Sequence, residues 1–171
     1  MNKLSFNRFT KKIYLKASIQ EVYRCWSTPE GICEWFLKTA EYRNSRGKNR
    51  RSDEFIEAGD TYIWEWHNWE GRESGMILKV AAPELLVFSF AETCEVRITL
   101  TNKGVHTLLC LEQYHIPTDE DSKLKIHYGC SNGWTFWLTN LKAYLEHGIL
   151  LNEKEIDLSG DNLAGWEFVN M

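Results

Sequence analysis

Aromatic and polar side chains alternate in one short stretch of the chain. Tyr62, Trp64, Trp66 and Asn68 are spaced two residues apart, so on a β-strand they would share one face. Such a face offers ring surface for stacking and indole N–H groups that could donate hydrogen bonds to a small molecule. The same rings could instead fill the space between a sheet and a helix. From the spacing alone, both a ligand cavity and a packed core stay open.

A second stretch combines polar and aromatic groups at helical spacing. His127, Ser131, Trp134 and Leu138 recur every three or four residues, which places them on one helix face. Buried polar groups need hydrogen-bond partners, and a ligand is one candidate partner beside water or a neighbouring Glu. Cys130, three residues after His127, could form a thiol–imidazole pair, although a packed helix cysteine would have the same spacing. We therefore assign no catalytic residue.

Motifs for metal, nucleotide or hydrolytic chemistry are missing from the sequence. The five histidines and five cysteines form no CxxC, HxxxH or HExxH pair, so we expect no metal site. The chain also has no GxSxG, P-loop or GxGxxG motif. Hydrolase, nucleotide-binding and dinucleotide-binding functions therefore lack support, and we expect no cofactor.

The composition indicates one ordinary globular domain. The chain has 171 residues, of which 43% are hydrophobic and 26% charged, and it contains eight tryptophans. Its net charge of -4 argues against nucleic-acid binding. No apolar run approaches the roughly 20 residues that span a bilayer, and the N-terminus lacks a signal-peptide core. An odd number of widely spaced cysteines indicates reduced thiols and a cytoplasmic protein.

The first third of the chain predicts a strand and two short helices. Residues 12–17 alternate apolar and charged side chains, as strands do. Ser18 and Glu21 have the spacing of a capping box, which begins a helix, and Pro29 suits the first position of a second helix. Residues 43–51 are polar and basic, which is typical of an exposed loop. This basic loop could attract an anionic head group or an acidic partner surface, or it could simply be solvated.

The rest of the chain predicts a sheet and a long helix. Strand-like runs separated by turn residues fill residues 55–116, and their short connections favour an antiparallel meander. Residues 122–147 have a helical pattern, and Gly148 suits a left-handed C-terminal cap. The buried stripe of this helix is predicted at Leu124, His127, Ser131, Trp134, Leu138, Leu141 and Leu145. The predicted fold class is α+β: a curved antiparallel sheet wrapped around one long C-terminal helix, with two short helices after the first strand.

Three motifs in this order resemble a known family. They are IYLKASIQEVYRCWSTPEGICEWF at 13–36, GDTYIWEW at 59–66 and GWTFWLTNLKAYLEHG at 133–148. Together they resemble the helix-grip fold of the START-like (SRPBCC) superfamily. Within it, they are similar to the branch of the C-terminal domain of the ninety-kilodalton heat-shock protein ATPase activator. The resemblance covers roughly residues 11–149, so we expect a single domain at 1–150 and a C-terminal tail at 151–171.

The resemblance implies a cavity between the sheet and the long helix that holds a small apolar or amphipathic molecule. We expect this molecule to be the partner, with no nucleic acid and no membrane span, and a homodimer stays open. Asn68 is a further candidate for orienting the ligand. The candidate ligand-binding residues are Trp35, Tyr62, Trp64, Trp66, Phe88, Phe90, His127, Ser131, Trp134 and Leu138.

Two alternatives come from the same resemblance. A cyclase- or dehydratase-like enzyme would use the same cavity and need a titratable group there, with His127 and Glu112 as the candidates. A co-chaperone would bind a large ATPase. In the eponymous proteins that role depends on an additional N-terminal domain, for which we expect no room before the first strand. A ligand-binding domain without catalysis is the leading hypothesis.

Overall fold

The structure is a computed structural model and describes residues 5–171. Its central element is a seven-stranded sheet in the order β1-β7-β6-β5-β4-β3-β2, in which all neighbouring strands are antiparallel. The strands are β1 (Arg8–Leu15), β2 (Thr39–Arg43), β3 (Thr61–Glu65), β4 (Glu73–Ala81), β5 (Leu85–Phe90), β6 (Cys94–Lys103) and β7 (His106–Tyr114). A long C-terminal helix packs against this sheet, which confirms the predicted α+β class.

Two short helices follow β1, as predicted: α1 (Ile19–Ser27) and α2 (Pro29–Cys33). The Ser18 hydroxyl accepts a hydrogen bond of 3.2 Å from the Glu21 amide, which confirms Ser18 as the N-cap of α1. The Thr28 hydroxyl caps α2 in the same way, with Pro29 in its first turn. Local capping chemistry thus sets the start of both helices.

The long C-terminal helix runs from Glu120 to His147, which confirms the helix predicted over 122–147, but it is not α-helical throughout. A short α3 (Glu120–Ser122) leads into a π-helical segment (Lys123–Tyr128), and α4 (Gly129–His147) follows. Gly148 ends α4 with a φ of 67°, as predicted. A π-helix bonds residue i to i+5 and therefore holds more residues per turn than an α-helix. The predicted stripe loses its register before α4, and Leu124 is 55% exposed.

The sheet differs from the sequence prediction at two places. The strand β2 was not predicted, because the short run TAEYR between α2 and the basic loop has only five residues. The strand β3 was expected to include Trp66 and Asn68 but ends at Glu65. Asn68 then has a φ of 51°, a left-handed conformation that does not continue a strand.

The core lies between the inner face of the sheet and the helices α1, α2 and α4. Leu109 and Leu111 of β7 are fully buried and belong to one cluster with Leu138 and Leu141 of α4. The aromatic residues extend this cluster toward β3 and α2. The position of α4 therefore follows from its apolar side chains at three- and four-residue spacing.

Candidate functional site

A cavity of about 810 Å³ opens at the end of the aromatic part of the core. Its walls come from three parts of the chain: the first half of α4, the region between β3 and β4 with the end of β5, and the C-terminal residues 165–171. Phe36, just after α2, also lines the cavity. Outside residues 165–171 the aromatic lining consists of Phe36, Trp66, Trp69, Phe90, Tyr128, Trp134, Phe136 and Trp137. This volume lies within the 300–1,000 Å³ range of small-molecule sites.

Trp66 and Trp69 form the wall beyond β3. Trp66 follows the end of β3, and the turn at Asn68 brings Trp69 back so that the two indole rings meet edge to face with centroids 5.0 Å apart. Trp66 also contacts the Phe36 ring at 5.5 Å. The end of the strand, rather than the strand itself, therefore presents these rings to the cavity.

A deeper aromatic layer lies beneath the cavity and is filled by its own side chains. Tyr62 and Trp64 stack with centroids 4.2 Å apart, and Trp64 meets Phe88 edge to face at 5.3 Å. All three residues are buried. Gly75 allows this packing, because a Cβ atom there would lie 2.7 Å from the Tyr62 Oη atom. The alternation of β3 thus builds core at Tyr62 and Trp64, and the open space lies farther out.

The indole N–H groups of three buried tryptophans, in and beside the deep layer, donate to other groups of the protein. Trp64 donates to the Tyr42 hydroxyl and Trp35 donates to the Cys25 carbonyl, each at 3.0 Å. Trp134 donates to the Gln113 Oε1 atom at 3.0 Å. Hydrogen bonds within the protein therefore occupy these donors, which corrects the idea that the Trp64 indole points a free donor at a ligand.

Three of the ten candidate residues line the cavity: Trp66, Phe90 and Trp134. The Phe90 and Trp134 rings lie 5.4 Å apart, so β5 and α4 meet at the base of the cavity. Five others, Trp35, Tyr62, Trp64, Phe88 and Leu138, are buried in the core next to it. Their contact with a ligand stays a prediction.

The remaining two candidates, His127 and Ser131, lie on the long helix but not in the cavity wall. The His127 ring packs edge-on against the Phe9 ring at 5.5 Å, on the side of β1. Ser131 is half-buried. The cavity face of α4 instead contains Cys130 and Gly133 together with Trp134 and Trp137. The π-helical segment accounts for this difference, because it turns His127 away from the face predicted by α-helical spacing.

Cys130 is a thiol at neutral pH. Burial raises the pKa of the Cys130 thiol to about 11, although a hydrogen bond with Gln113 opposes the shift. Because the thiolate is the nucleophile, such a cysteine is weakly reactive. His127 packs on phenylalanine rings and does not form the suggested pair with Cys130.

Glu112, the other candidate for an enzymatic acid or base, lies on the outer face of the sheet. It alternates with buried Leu111 and Gln113 along β7. Its carboxylate forms ion pairs with Arg8 at 3.3 Å and Arg97 at 3.1 Å. Glu112 therefore forms ion pairs on the sheet surface and does not line the cavity.

Glu73 lines the cavity and was not predicted from the sequence. It begins β4 opposite Trp64 of β3, and its Oε1 atom accepts a hydrogen bond of 2.9 Å from the Ala91 amide. Burial raises the pKa of the Glu73 carboxyl, the nearby Glu92 charge raises it further, and the Ala91 amide opposes both. Only the register between β3 and β4 reveals this position, because Glu73 in the sequence looks like one charged residue of a turn.

The C-terminal segment, residues 149–171, packs onto the domain through two asparagines. The Asn68 side chain donates to the Glu153 carbonyl at 3.0 Å, so this candidate for orienting a ligand instead holds the segment. Asn140, fully buried on α4, accepts from the Leu151 amide at 2.6 Å and donates to the Trp35 carbonyl at 2.6 Å.

Farther along the segment, the one-turn helix α5 (Ala164–Glu167) brings Trp166 parallel to the Tyr128 ring, with centroids 6.5 Å apart. Both side chains line the cavity. The segment expected to be a tail therefore forms a wall of the site.

The basic loop has one buried member. The Arg50 side chain is 7% exposed and binds both carboxylate oxygens of Asp60, at 2.8 and 2.9 Å. Glu54 and Glu57 complete the ion-pair network. Arg50 thus fixes the loop to the start of β3, whereas Arg51 is exposed.

Residues 5–171 contain no group of three or more His, Cys, Asp or Glu side chains placed to hold a metal ion. Within the same residues, no helix is both long and apolar enough to cross a membrane.

A sheet that grips one long helix, with an aromatic cavity at one end of that helix, defines a helix-grip domain of the START-like (SRPBCC) class. The model of the family described as activator of Hsp90 ATPase homolog 1-like protein matches residues 16–146. The chain belongs to this family. The comparison with curated proteins finds no significant match.

Solved structures show the same fold. Protein SSP2350 from Staphylococcus saprophyticus has 18% sequence identity and a TM-score of 0.66, over 84% of this chain and 94% of its own. The Aha1 dimer from Colwellia psychrerythraea has 17% identity and a TM-score of 0.66, over 82% and 97%. CalU16 from Micromonospora echinospora has 22% identity and a TM-score of 0.61, over 82% and 77%. At these identities the likeness establishes the fold alone.

Proposed function

We propose that this protein binds a small apolar or amphipathic molecule in the cavity between α4, the β3–β4 region and the C-terminal segment. The observation that carries the proposal is the open volume of about 810 Å³ beside an aromatic layer that is otherwise filled. Each ligand CH₂ group removed from water there would contribute roughly 0.8 kcal/mol. Catalysis is not part of the proposal.

Gly133 provides a direct test of the cavity. It lies in the second turn of α4, lines the cavity, and has no atom within 4 Å of the position where a Cβ would stand. Leucine in its place would extend into open space and would also remove the helix cost of glycine, about 1 kcal/mol. Gly133→Leu should therefore block the cavity without destabilising the fold.

The experiment measures thermal unfolding and tryptophan fluorescence with a panel of fatty acids, sterols, aromatic polyketides and amphipathic amines. At least one compound should raise the melting temperature of the wild-type protein and change its emission. Gly133→Leu should abolish both responses, whereas Gly133→Ala, the matched control, should keep them. The absence of any response from the wild-type protein, or an undiminished response from Gly133→Leu, would refute the proposal.

The contacts of the C-terminal segment support a wider binding unit than residues 1–150. Residues 165–171 line the cavity, although the family match ends at residue 146. We therefore propose that residues 151–171, the tail predicted from the sequence, belong to the ligand-binding unit and help to determine which ligand this protein binds.

We further propose a homodimer in the cytoplasm. A solved structure of similar fold is described as the Aha1 dimer, and the five cysteines are all free, which suits a reducing compartment. Light scattering should give twice the chain mass of 20.1 kDa, and a value equal to that mass would refute the dimer.

A further inference from the structure

The cavity has an unusual charge distribution. Glu73 is the one charged side chain among the described residues that line it, and the other walls are aromatic, aliphatic or neutral polar. Most half-buried carboxylates in this protein have a cation beside them. Glu65, for example, accepts from Arg72 at 2.7 Å. Glu73 forms no ion pair with any residue of 5–171, although Arg72 precedes it in the chain.

The turn after β5 holds Glu73 in place. The Ala91 amide donates to its Oε1 atom, and Ala91 and Glu92 have φ values of 50° and 68°, so this turn has a left-handed backbone. The Oε2 atom forms no hydrogen bond within the described part of the chain. One carboxylate oxygen thus anchors the turn, and the other is available to the cavity.

The surrounding rings favour the same sign of charge. The faces of indole and phenyl rings are negative and attract cations, and tryptophan does so most strongly. Trp66, Trp69, Phe90 and Trp134 line the cavity together with Glu73. A protonated amine that pairs with Glu73 would lie in a cavity lined by these rings, whereas a carboxylate ligand would be repelled by Glu73.

Two lysines lie in a neighbouring groove rather than in the cavity. Lys38 and Lys154 line a separate polar groove, which shares Trp66 and Trp69 with the cavity. They are absent from the cavity lining. They therefore offer an anionic ligand no partner inside the site.

We propose that the ligand is an amphipathic amine, whose apolar body lies against the aromatic walls and whose ammonium group pairs with Glu73. This inference rests on the proposed function, because it requires the cavity to take up a small molecule. It adds the sign of charge that the cavity selects and the residue that selects it.

Three probes with the same apolar body separate the charges: 4-phenylbutylamine, 4-phenyl-1-butanol and 4-phenylbutyrate. Their affinities for the full chain are measured by isothermal titration calorimetry at neutral pH. The amine should bind about tenfold more tightly than the alcohol, because a charge-assisted contact to a desolvated carboxylate and the ring faces adds to the same apolar contacts. The carboxylate probe should bind most weakly.

Glu73→Gln assigns the preference to one residue. Glutamine retains an oxygen for the Ala91 amide but removes the charge, so the amine should bind this variant about as weakly as the alcohol does, and the alcohol should be unaffected. Glu84→Gln, which removes an exposed charge from a turn outside the cavity lining, is the control and should leave all three affinities unchanged. Thermal unfolding without probe establishes that both variants are folded.

The outcomes distinguish the two proposals. Equal affinity for the amine and the alcohol, or an unchanged preference in Glu73→Gln, would overturn the amine inference and leave the ligand-binding function standing. No binding of any probe by the wild-type protein would overturn both.

Discussion

Asn140 links the domain core to the segment that completes the cavity. It is fully buried on α4. Its side chain donates to the Trp35 carbonyl at 2.6 Å and the Asn152 Oδ1 atom at 3.3 Å, and it accepts from the Leu151 amide at 2.6 Å. Asn140→Leu would remove all three hydrogen bonds while leaving a side chain of similar size.

The expected loss follows from these bonds. A buried hydrogen bond contributes about 1 kcal/mol net, so three bonds correspond to about 3 kcal/mol of unfolding free energy. For a protein of this size, that loss lowers the melting temperature by about 6–12 °C. Part of the loss belongs to the Trp35 carbonyl in the core, and the rest belongs to residues 149–171.

Two assays separate these parts. Urea unfolding measures the total loss, and limited proteolysis measures how readily residues 149–171 are cleaved before the domain unfolds. Asn140→Leu should give both a lower unfolding free energy and faster cleavage. Asn162→Leu, at an exposed site in the same segment, is the control and should change stability by less than about 0.5 kcal/mol. A loss below about 1 kcal/mol with unchanged cleavage would refute the role of Asn140 as the anchor.

Three further predictions concern the loop, the deep layer and the cavity carboxylate. Arg50→Met leaves the Asp60 carboxylate, whose side chain is 3% exposed, without its cation, so urea unfolding should show a loss of about 3–5 kcal/mol. Gly75→Ala places a Cβ 2.7 Å from the Tyr62 Oη atom, and the overpacking should cost about 1–3 kcal/mol and alter the near-ultraviolet circular dichroism. The native state binds the Glu73 proton more tightly than the unfolded state, because burial raises the pKa of this carboxyl. Wild-type stability should therefore fall relative to Glu73→Gln as the pH rises from about 4 to about 7.

Each of these predictions can fail clearly. A stability change within about 0.5 kcal/mol for Arg50→Met would mean that Asp60 is solvated. An unchanged dichroism spectrum in Gly75→Ala would mean that the Tyr62 side chain does not pack against Gly75 of β4. Parallel pH profiles for wild type and Glu73→Gln would remove the argument that this carboxyl is desolvated.

Much of the fold could be predicted because its signals are local. The Ser18 cap, the Pro29 start and the Gly148 end each depend on residues within one helical turn. The strands β4 to β7 were visible because their runs are separated by turn residues. The π-helical segment was not predicted, because residues 123–128 have no local signal that distinguishes it from an α-helix.

The cavity depended on contacts between distant parts of the chain. Alternation placed Tyr62, Trp64 and Trp66 on one face but could not tell which ring would be covered. In the structure, the first two pack within the deep layer, and Trp66, beyond the end of β3, borders the open space. The aromatic content of the sequence therefore predicted a site rich in rings but not its boundary.

The sequence by itself determined the order of the elements, the class of fold and the aromatic character of the site, because periodicity and capping act over a few residues. Tertiary structure alone decided where the space remains, that Glu73 faces it with no counter-ion among residues 5–171, and that Asn68 and Asn140 hold the C-terminal segment against it. The physical reason is that a cavity and its charge depend on which distant side chains meet, and no local spacing specifies those meetings.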